Sequence, residues 1–240
     1  MGNWDRLGAR GIIVGAGVLL LGCGDKPDRS PGAEPDRSGT GSTPAVAPAP
    51  GGGTNRTIVF LGTSLTAGYG IDPESAYPAR VQHIIDSLGL PYTVMNAGES
   101  GETSANAVRR LNWVMRSNPA VVVLETGAND GLRGQDVDSL RANIQRIIDR
   151  IRETYPDTKI VLAGMEALPN LGAEYTRKFR AVYPGLAKAN NLPLIPFLLV
   201  GVGGVDSLNQ QDGIHPNERG AEILARTVWT VLGPLLQPVS

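Results

Sequence analysis

The chain has 240 residues, of which 41% are hydrophobic and 19% charged, and this is enough for one full-sized domain with a buried core. Its formal net charge is -1 and its Lys and Arg residues are scattered, so it lacks the basic stripe of a nucleic-acid-binding protein. One cysteine and two histidines exclude an intrachain disulfide and a cysteine-rich zinc site, and we expect neither a metal nor another cofactor.

Residues 1–23 have the layout of an export signal. Two arginines among the first ten residues precede an uncharged apolar stretch, residues 11–22, which is too short to span a bilayer. The stretch ends in Leu20-Leu21-Gly22-Cys23, which resembles the lipobox of bacterial lipoproteins, where the signal is cut before an acylated cysteine. This resemblance implies export to the cell envelope and a lipid anchor at Cys23. A plain signal peptide with an incidental cysteine is the alternative.

Residues 24–56 are rich in Gly, Pro, Ser and Asp and almost lack large apolar side chains. Such a segment cannot bury enough surface to offset the entropy lost on ordering, so we expect a disordered tether. The folded domain is therefore predicted to comprise residues 57–240, with no second core.

From residue 57 onward, short apolar runs alternate with segments of helical period. The runs that are typical of buried strands are residues 58–61, 92–95, 120–124, 159–163 and 192–195. Apolar residues recur at helical spacing within residues 81–88, 140–151, 175–186 and 223–232, and less regularly within 105–116. Near-continuous apolar strands that alternate with helices predict an α/β domain whose parallel sheet is covered on both faces.

In such sheets, ligands bind beyond the carboxyl ends of the strands, where residues 62–65, 96–101 and 125–130 lie in this sequence. Ser64 follows the first strand by three residues, before a predicted helical turn. An exposed hydroxyl and a free backbone N–H at this place suit a nucleophile whose own amide helps to hold an oxyanion. A serine that merely caps a turn or a helix is common and is the alternative.

Asp212 and His215 stand at the two ends of a four-residue turn. The ends of such a turn lie within about 7 Å of each other, so the carboxylate can reach one ring nitrogen and leave the other free to act as a base. Gly213 relieves steric strain of the backbone in the turn, and Pro216 suits the first position of a following helix. A capping aspartate beside a surface histidine is the alternative.

Asn129 and Gly101 are the candidate oxyanion donors, the first through its side-chain amide and the second through an unobstructed N–H. A turn asparagine and a loop glycine are the alternatives. The predicted nucleophile, donors and base all fall at one edge of the predicted sheet. His83 is the rival base, but it lies in the middle of a predicted helix, away from that edge.

Together these segments resemble the SGNH, or GDSL, hydrolase family, which is named for four blocks centred on Ser, Gly, Asn and His. The blocks here are residues 60–69, 96–104, 127–134 and 212–217, and the resemblance extends through essentially all of residues 57–240. It is strongest for bacterial multifunctional esterases of the acyl-CoA thioesterase I, lysophospholipase and arylesterase type.

This resemblance implies a three-layer, flavodoxin-like fold with five parallel strands. It also implies a serine esterase that acts on carboxylic esters or thioesters through an acyl-enzyme. In this sequence Ser64 would be the nucleophile, His215 its base and Asp212 the carboxylate that orients the base. The oxyanion hole would consist of the Ser64 and Gly101 N–H groups and the side chain of Asn129.

Thr63 departs from the family pattern, which usually has Asp before the serine. Threonine keeps a short polar side chain but loses the charge, so we expect an effect on the rigidity and pH profile of the loop rather than on the reaction. The sequence also lacks the Gly-x-Ser-x-Gly elbow, which disfavours the α/β-hydrolase fold.

The substrate is the least determined part of the prediction. Residues 131–134 and 167–172 follow the third and fourth strands and could wall a pocket for a medium-length acyl chain, or could be ordinary loops. The candidate substrate-binding residues are Leu65, Leu132, Leu168 and Pro169. A carbohydrate O-acetylesterase of the same family and an inactive, surface-tethered binding lipoprotein are the alternative functions. We expect no nucleic-acid partner, and contact with a membrane only through the anchor.

Overall fold

The computed structural model describes residues 56–236, so the predicted export signal, residues 24–55 of the predicted tether and the last four residues lie outside the described part. In this part, strands and α-helices alternate along the chain. The strands are β1 (Arg56–Gly62), β2 (Tyr92–Gly98), β3 (Val121–Glu125), β4 (Lys159–Ala163) and β5 (Leu194–Ile195). The helices are α1 (Ser64–Ala67), α2 (Tyr77–Ser87), α3 (Ser104–Val114), α4 (Ala128–Leu132), α5 (Val137–Thr154), α6 (Ala173–Ala189) and α7 (Glu218–Leu236).

The five strands form one sheet in the order β2-β1-β3-β4-β5, with every neighbouring pair parallel. All five residues of β3 are buried, and so are the last five of β1, because helices cover both faces of the central strands. The predicted parallel α/β sheet is confirmed.

Helices pack on the sheet in two groups, with α2 against α7 in one, and α3 against α5 and α5 against α6 in the other. The sequence of helix α5 explains why this helix packs against the sheet. Its leucine and four isoleucines repeat every three or four positions, so they share one face, and each of these five residues is at most 1% exposed. Its N-terminus is capped by Asp136, which accepts a hydrogen bond of 2.8 Å from the Ser139 amide.

The bounds of several predicted elements differ from those of the structure. Strand β5 has only two residues instead of four, because the Leu192 amide donates to Ala187 at the end of α6 and the next residue, Pro193, has no N–H to give to a sheet. Strand β1 begins two residues before the predicted run, at the last residue of the predicted tether, since the Arg56 amide donates to the Pro91 carbonyl beside β2. The helical bounds otherwise differ by a few residues at each end.

The prediction that Pro216 opens the last helix is wrong. Helix α7 begins at Glu218, and Asn217 caps it by accepting hydrogen bonds of 3.1 Å from the amides of Arg219 and Gly220. Pro216 instead forms an isolated antiparallel bridge with Asn209, which closes the loop that contains His215.

The sheet order places β1 between β2 and β3, so the loops that follow these three strands meet at one edge. Two of the helices that begin there, α1 and α4, are only one turn long. Within residues 56–236, no helix combines the length and apolar character needed to cross a membrane.

Candidate active site

Ser64 is the first residue of α1, immediately after β1. The carbonyl of Thr63 accepts a hydrogen bond of 2.9 Å from the Ala67 amide, so it points along the helix. In a trans peptide the N–H points away from the C=O, and the Ser64 N–H therefore faces out of the helix N-terminus, where the helix offers it no acceptor. The loop thus presents both the hydroxyl and the amide of Ser64.

Asp212 and His215 form a compact turn opposite Ser64. One Asp212 oxygen accepts hydrogen bonds of 3.0 Å from the amides of both Ile214 and His215. The other oxygen lies 2.7 Å from Nδ1 of His215, and Nε2 of the same ring lies 2.9 Å from the Ser64 hydroxyl. Because a carboxylate only accepts, Nδ1 carries the ring proton and Nε2 is free to accept the proton of Ser64.

The charge state of Asp212 supports this tautomer. Burial alone would raise the pKa of the Asp212 carboxyl, but the hydrogen bonds from the His215 ring and from the His215 and Ile214 amides outweigh it and lower the pKa to about 2. Asp212 is therefore ionised at neutral pH and can stabilise an imidazolium at His215.

Gly101 and Asn129 reach the same place from the loops after β2 and β3. Gly101 has φ +80°, a backbone conformation that side chains disfavour, and it is exposed. One amide hydrogen of Asn129 is bonded to the Glu102 carbonyl at 2.9 Å, which leaves the second for another acceptor. Ser104 joins the two loops by donating its amide and its hydroxyl to Asp130, at 2.8 and 2.6 Å.

Four of these residues, Ser64, Gly101, Asn129 and His215, line one cavity of about 690 Å³. Its remaining wall is mostly apolar. The four residues that the sequence predicts for substrate binding, Leu65, Leu132, Leu168 and Pro169, all line it. The geometry therefore combines a hydroxyl–imidazole–carboxylate series, three potential N–H donors and an apolar pocket.

Comparison with known proteins shows the family of the chain. The model of the GDSL-like lipase/acylhydrolase family matches residues 60–223. The chain belongs to this family. It is 37% identical to esterase TesA of Pseudomonas aeruginosa over 75% of the chain and 90% of that relative. It is 33% identical to thioesterase 1/protease 1/lysophospholipase L1 of Escherichia coli strain K12, over 75% of the chain and 85% of that relative.

The fold is shared as well. A crystal structure of TesA superposes with a TM-score of 0.72 at 37% identity, over 75% of this chain and all of that one. The crystal structure of AlinE4, an SGNH-hydrolase family esterase, gives a TM-score of 0.63 at 36% identity, over 78% of this chain and 99% of that one. The predicted family and its three-layer fold are confirmed.

Thr63, the departure from the GDSL pattern, lies against a buried carboxylate that the sequence analysis did not single out. Glu125 is fully buried at the end of β3 and accepts hydrogen bonds from the Thr63 amide (2.7 Å), the Thr63 hydroxyl (3.0 Å) and the Thr66 hydroxyl (2.9 Å). A Cβ at Gly62 would lie 1.9 Å from the Thr66 hydroxyl, so only glycine fits between strand and helix. Burial raises the pKa of Glu125, and these hydrogen bonds oppose the rise.

Gln210 is a second residue that the sequence analysis missed. Its side-chain amide donates to the carbonyls of Tyr69 at 2.7 Å and Pro216 at 3.0 Å, and its backbone amide donates to His215 at 2.8 Å. It therefore connects the loop that follows Ser64 with the turn that contains His215. Its nearness to the Asp212 block is the only sequence signal that could have indicated it.

The cavity also has lining residues outside the two segments that the sequence predicts. They are Tyr69, Met165, Glu166, Thr176, Arg180, Phe197, Leu199, Gly203, Gly204 and Ile214, together with other atoms of the loops already named. The loop after β5 could have been included by the same strand-end rule that identified the others.

His83, the rival base, lies on the exposed side of α2 and is not among the cavity residues. Within residues 56–236, no three His, Cys, Asp or Glu side chains come together in a way that could hold a metal ion.

Proposed function

We propose that this member of the GDSL-like family is an exported esterase that hydrolyses acyl esters or thioesters, with Ser64 as nucleophile, His215 as general base and Asp212 as the orienting carboxylate. The observation that carries the proposal is the series of hydrogen bonds from Ser64 through His215 to Asp212, at 2.9 and 2.7 Å, at the wall of an apolar cavity.

In the proposed mechanism, His215 Nε2 accepts the proton of Ser64 while Oγ attacks the ester carbonyl carbon. The N–H groups of Ser64 and Gly101 and the free amide hydrogen of Asn129 hold the oxyanion. The leaving alcohol or thiol takes the proton from the imidazolium, and an acyl-enzyme remains. Water then loses a proton to His215 and attacks the same carbon. The bond from that carbon to Ser64 Oγ breaks, His215 returns the proton to Oγ, and the acid is released.

The substrate class follows from the wall of the cavity. Leu65, Leu132, Met165, Leu168 and Phe197 surround the space beside Ser64, and each methylene removed from water there gains about 0.8 kcal/mol. We therefore expect kcat/KM to rise with acyl length until a medium-length chain fills the cavity.

A carbohydrate O-acetylesterase is the second candidate, and an inactive binding lipoprotein the third. An acetyl group would leave most of the cavity of about 690 Å³ unfilled, which favours longer acyl chains. The hydrogen bond between His215 and Ser64 favours an enzyme over a binding protein.

A panel of p-nitrophenyl esters of rising acyl length, run beside acetylated xylan, separates these functions. We expect the highest kcat/KM on a medium-length ester, and a loss on the order of 10⁴-fold or more in Ser64→Ala. Preference for acetylated xylan would support the second candidate. Ligand binding without turnover of any ester would support the third.

The proposed localisation depends on residues outside the described part. Cys23 is the predicted site of lipid attachment. If this proposal is correct, cells fed radiolabelled palmitate will label the wild-type chain in the membrane fraction but not Cys23→Ala. Equal labelling of both chains would contradict it.

A further inference from the structure

Exposed apolar side chains are concentrated around the site. Within residues 56–236, eight large hydrophobic residues are exposed, and six of them belong to the loops at the carboxyl edge of the sheet. We call these six the apolar rim: Tyr69, Leu132, Leu168, Val200, Val205 and Ile214. The other two, Leu88 and Trp113, lie at the end of α2 and on α3.

The apolar rim is continuous with the cavity. Four of its residues line the cavity directly, and they come from the segments after β1, β3 and β4 and from the turn of His215. Val200 and Val205 do not line it, but Leu199 and Gly204 beside them in the chain do. An exposed apolar patch around a site is typical of a surface that contacts another apolar body.

The two valines project from a loop that is held in place. Val202, between them, is fully buried, and Asn209 donates its side-chain amide to the carbonyls of Val202 at 2.6 Å and Val205 at 2.9 Å. Val200 and Val205 remain 54% and 40% exposed. The packing of the domain therefore gives no reason for these two residues to be apolar.

We propose that the apolar rim docks the domain on a lipid surface, so that acyl chains pass from the lipid into the cavity without crossing water. This inference rests on the proposed function, because it assumes that the cavity takes acyl chains. Esters with long acyl chains reside in membranes or micelles, and four residues of the apolar rim line the cavity. A lipid surface is therefore the occupant that fits both the patch and the pocket.

The length of the chain ahead of the domain is consistent with docking on a lipid surface. β1 runs toward Ser64, so Arg56 lies at the edge of the sheet opposite the site. The part of the predicted tether ahead of β1, residues 24–55, would span up to about 105 Å at roughly 3.3 Å per residue, whereas a domain of this size has a radius of gyration of about 16 Å. A chain anchored at Cys23 can therefore turn the far edge of its domain toward the same membrane.

The test compares the apolar rim with the two exposed hydrophobic residues elsewhere. The full chain is added to phosphatidylcholine vesicles that contain a long-chain p-nitrophenyl ester, and a water-soluble p-nitrophenyl butyrate is assayed in parallel. The rim variant carries Val200→Asp and Val205→Asp, and the matched control carries Leu88→Asp and Trp113→Asp. Neither pair lines the cavity.

We expect the rim variant to lose about tenfold or more of its activity on the vesicle ester while its kcat/KM on the soluble butyrate changes less than twofold. The control should change less than twofold on both. For a direct view, a polarity-sensitive fluorophore on Val205→Cys should shift to the blue with vesicles and be quenched by spin-labelled lipid. The same fluorophore on Trp113→Cys should do neither, with the unsubstituted labelled chain as background.

Three results would overturn the docking proposal: equal loss on both esters, no loss on the vesicle ester, or a label at position 205 that is already shielded without vesicles because two copies associate. Failure of the proposed function has a different signature. In that case wild type and Ser64→Ala would hydrolyse the soluble butyrate equally, whatever the variants do on vesicles.

Discussion

Ser64 and His215, the proposed nucleophile and base, are held in place by different kinds of contact. On the side of the nucleophile, Thr63, Thr66 and Glu125 are all at most 1% exposed, and the hydroxyls and the carboxylate bond to each other inside the core. On the side of the base, the side chains of Asp212 and His215 are 39% and 17% exposed and are held by their own turn. Substitutions on the first side should therefore lower stability and activity together, and those on the second side should lower activity with only a small loss of stability.

Asp212→Asn should show the largest difference between the loss of activity and the loss of stability. Asparagine can still accept from the two backbone amides of the turn, but its NH₂ group facing Nδ1 favours the tautomer in which Nε2 carries the proton and cannot take that of Ser64. We expect kcat to fall on the order of 10⁴-fold with little change in melting temperature, as measured by steady-state kinetics and thermal unfolding. A loss below tenfold would show that the carboxylate is not needed to orient the base.

Glu125→Ala, in contrast, should cause a large loss of stability. Three buried donors would lose their acceptor, at about 1–3 kcal/mol each, so the free energy of unfolding should fall by about 3 kcal/mol or more in urea titrations. The matched control is Glu153→Ala, which removes only an exposed ion pair with Arg150 and should cost at most about 0.5 kcal/mol. Equal stability of the two variants would mean that Glu125 does not hold the nucleophile loop.

Gln210→Ala tests the connection between the two sides. Loss of the bonds to Tyr69 and Pro216 should leave the turn of His215 less well placed and lower kcat about tenfold, while KM stays nearly constant. The neighbouring Gln211→Ala, at an exposed position, should change kcat less than twofold. Active-site titration with a fluorophosphonate normalises for folded enzyme. If both variants behave alike, the connection is dispensable.

The smallest effects are in the pH dependence of stability. As the pH rises, the ionisation of Asp212 should stabilise the fold and that of Glu125 should destabilise it. The pKa of Asp212 is lowered from 3.8 to about 2, so its stabilisation is complete above its unfolded pKa and is lost as the pH falls from about 4 to about 2. The pKa of Glu125 is raised above 4.5 by burial, so its charged form destabilises the fold as the pH rises through that raised value.

Melting temperatures across pH 2–8 measure both effects against neutral variants. The small advantage in melting temperature of wild type over Asp212→Asn should shrink as the pH falls below 4. The advantage of wild type over Glu125→Gln should shrink as the pH rises above 4.5. Parallel curves for wild type and either variant would contradict the corresponding assignment.

The sequence by itself determined the parallel α/β class, the place of the strands and the family. Apolar runs such as residues 120–124 can only be buried, and helix α5 repeats its apolar residues with the period of a helix that lies on a sheet. The candidate site residues could be named because each stands in a short local pattern, as Asp212 and His215 do in one turn, and their catalytic roles stay predictions. Pro216 and β5 were predicted less well, since the cap at Asn217 and the amide bond of Leu192 depend on partners that no pattern shows.

Only the tertiary structure decided which distant residues meet. Glu125 and Thr63 are 62 positions apart, and Gln210 and Tyr69 are 141 apart, so their hydrogen bonds exist only because β1 and β3 are neighbours and the last loop folds over the first. The gathering of six exposed apolar residues around one cavity has the same origin. Each of them looks ordinary in its own segment, and the apolar rim arises when parallel strands bring the ends of all these segments to one edge of the sheet.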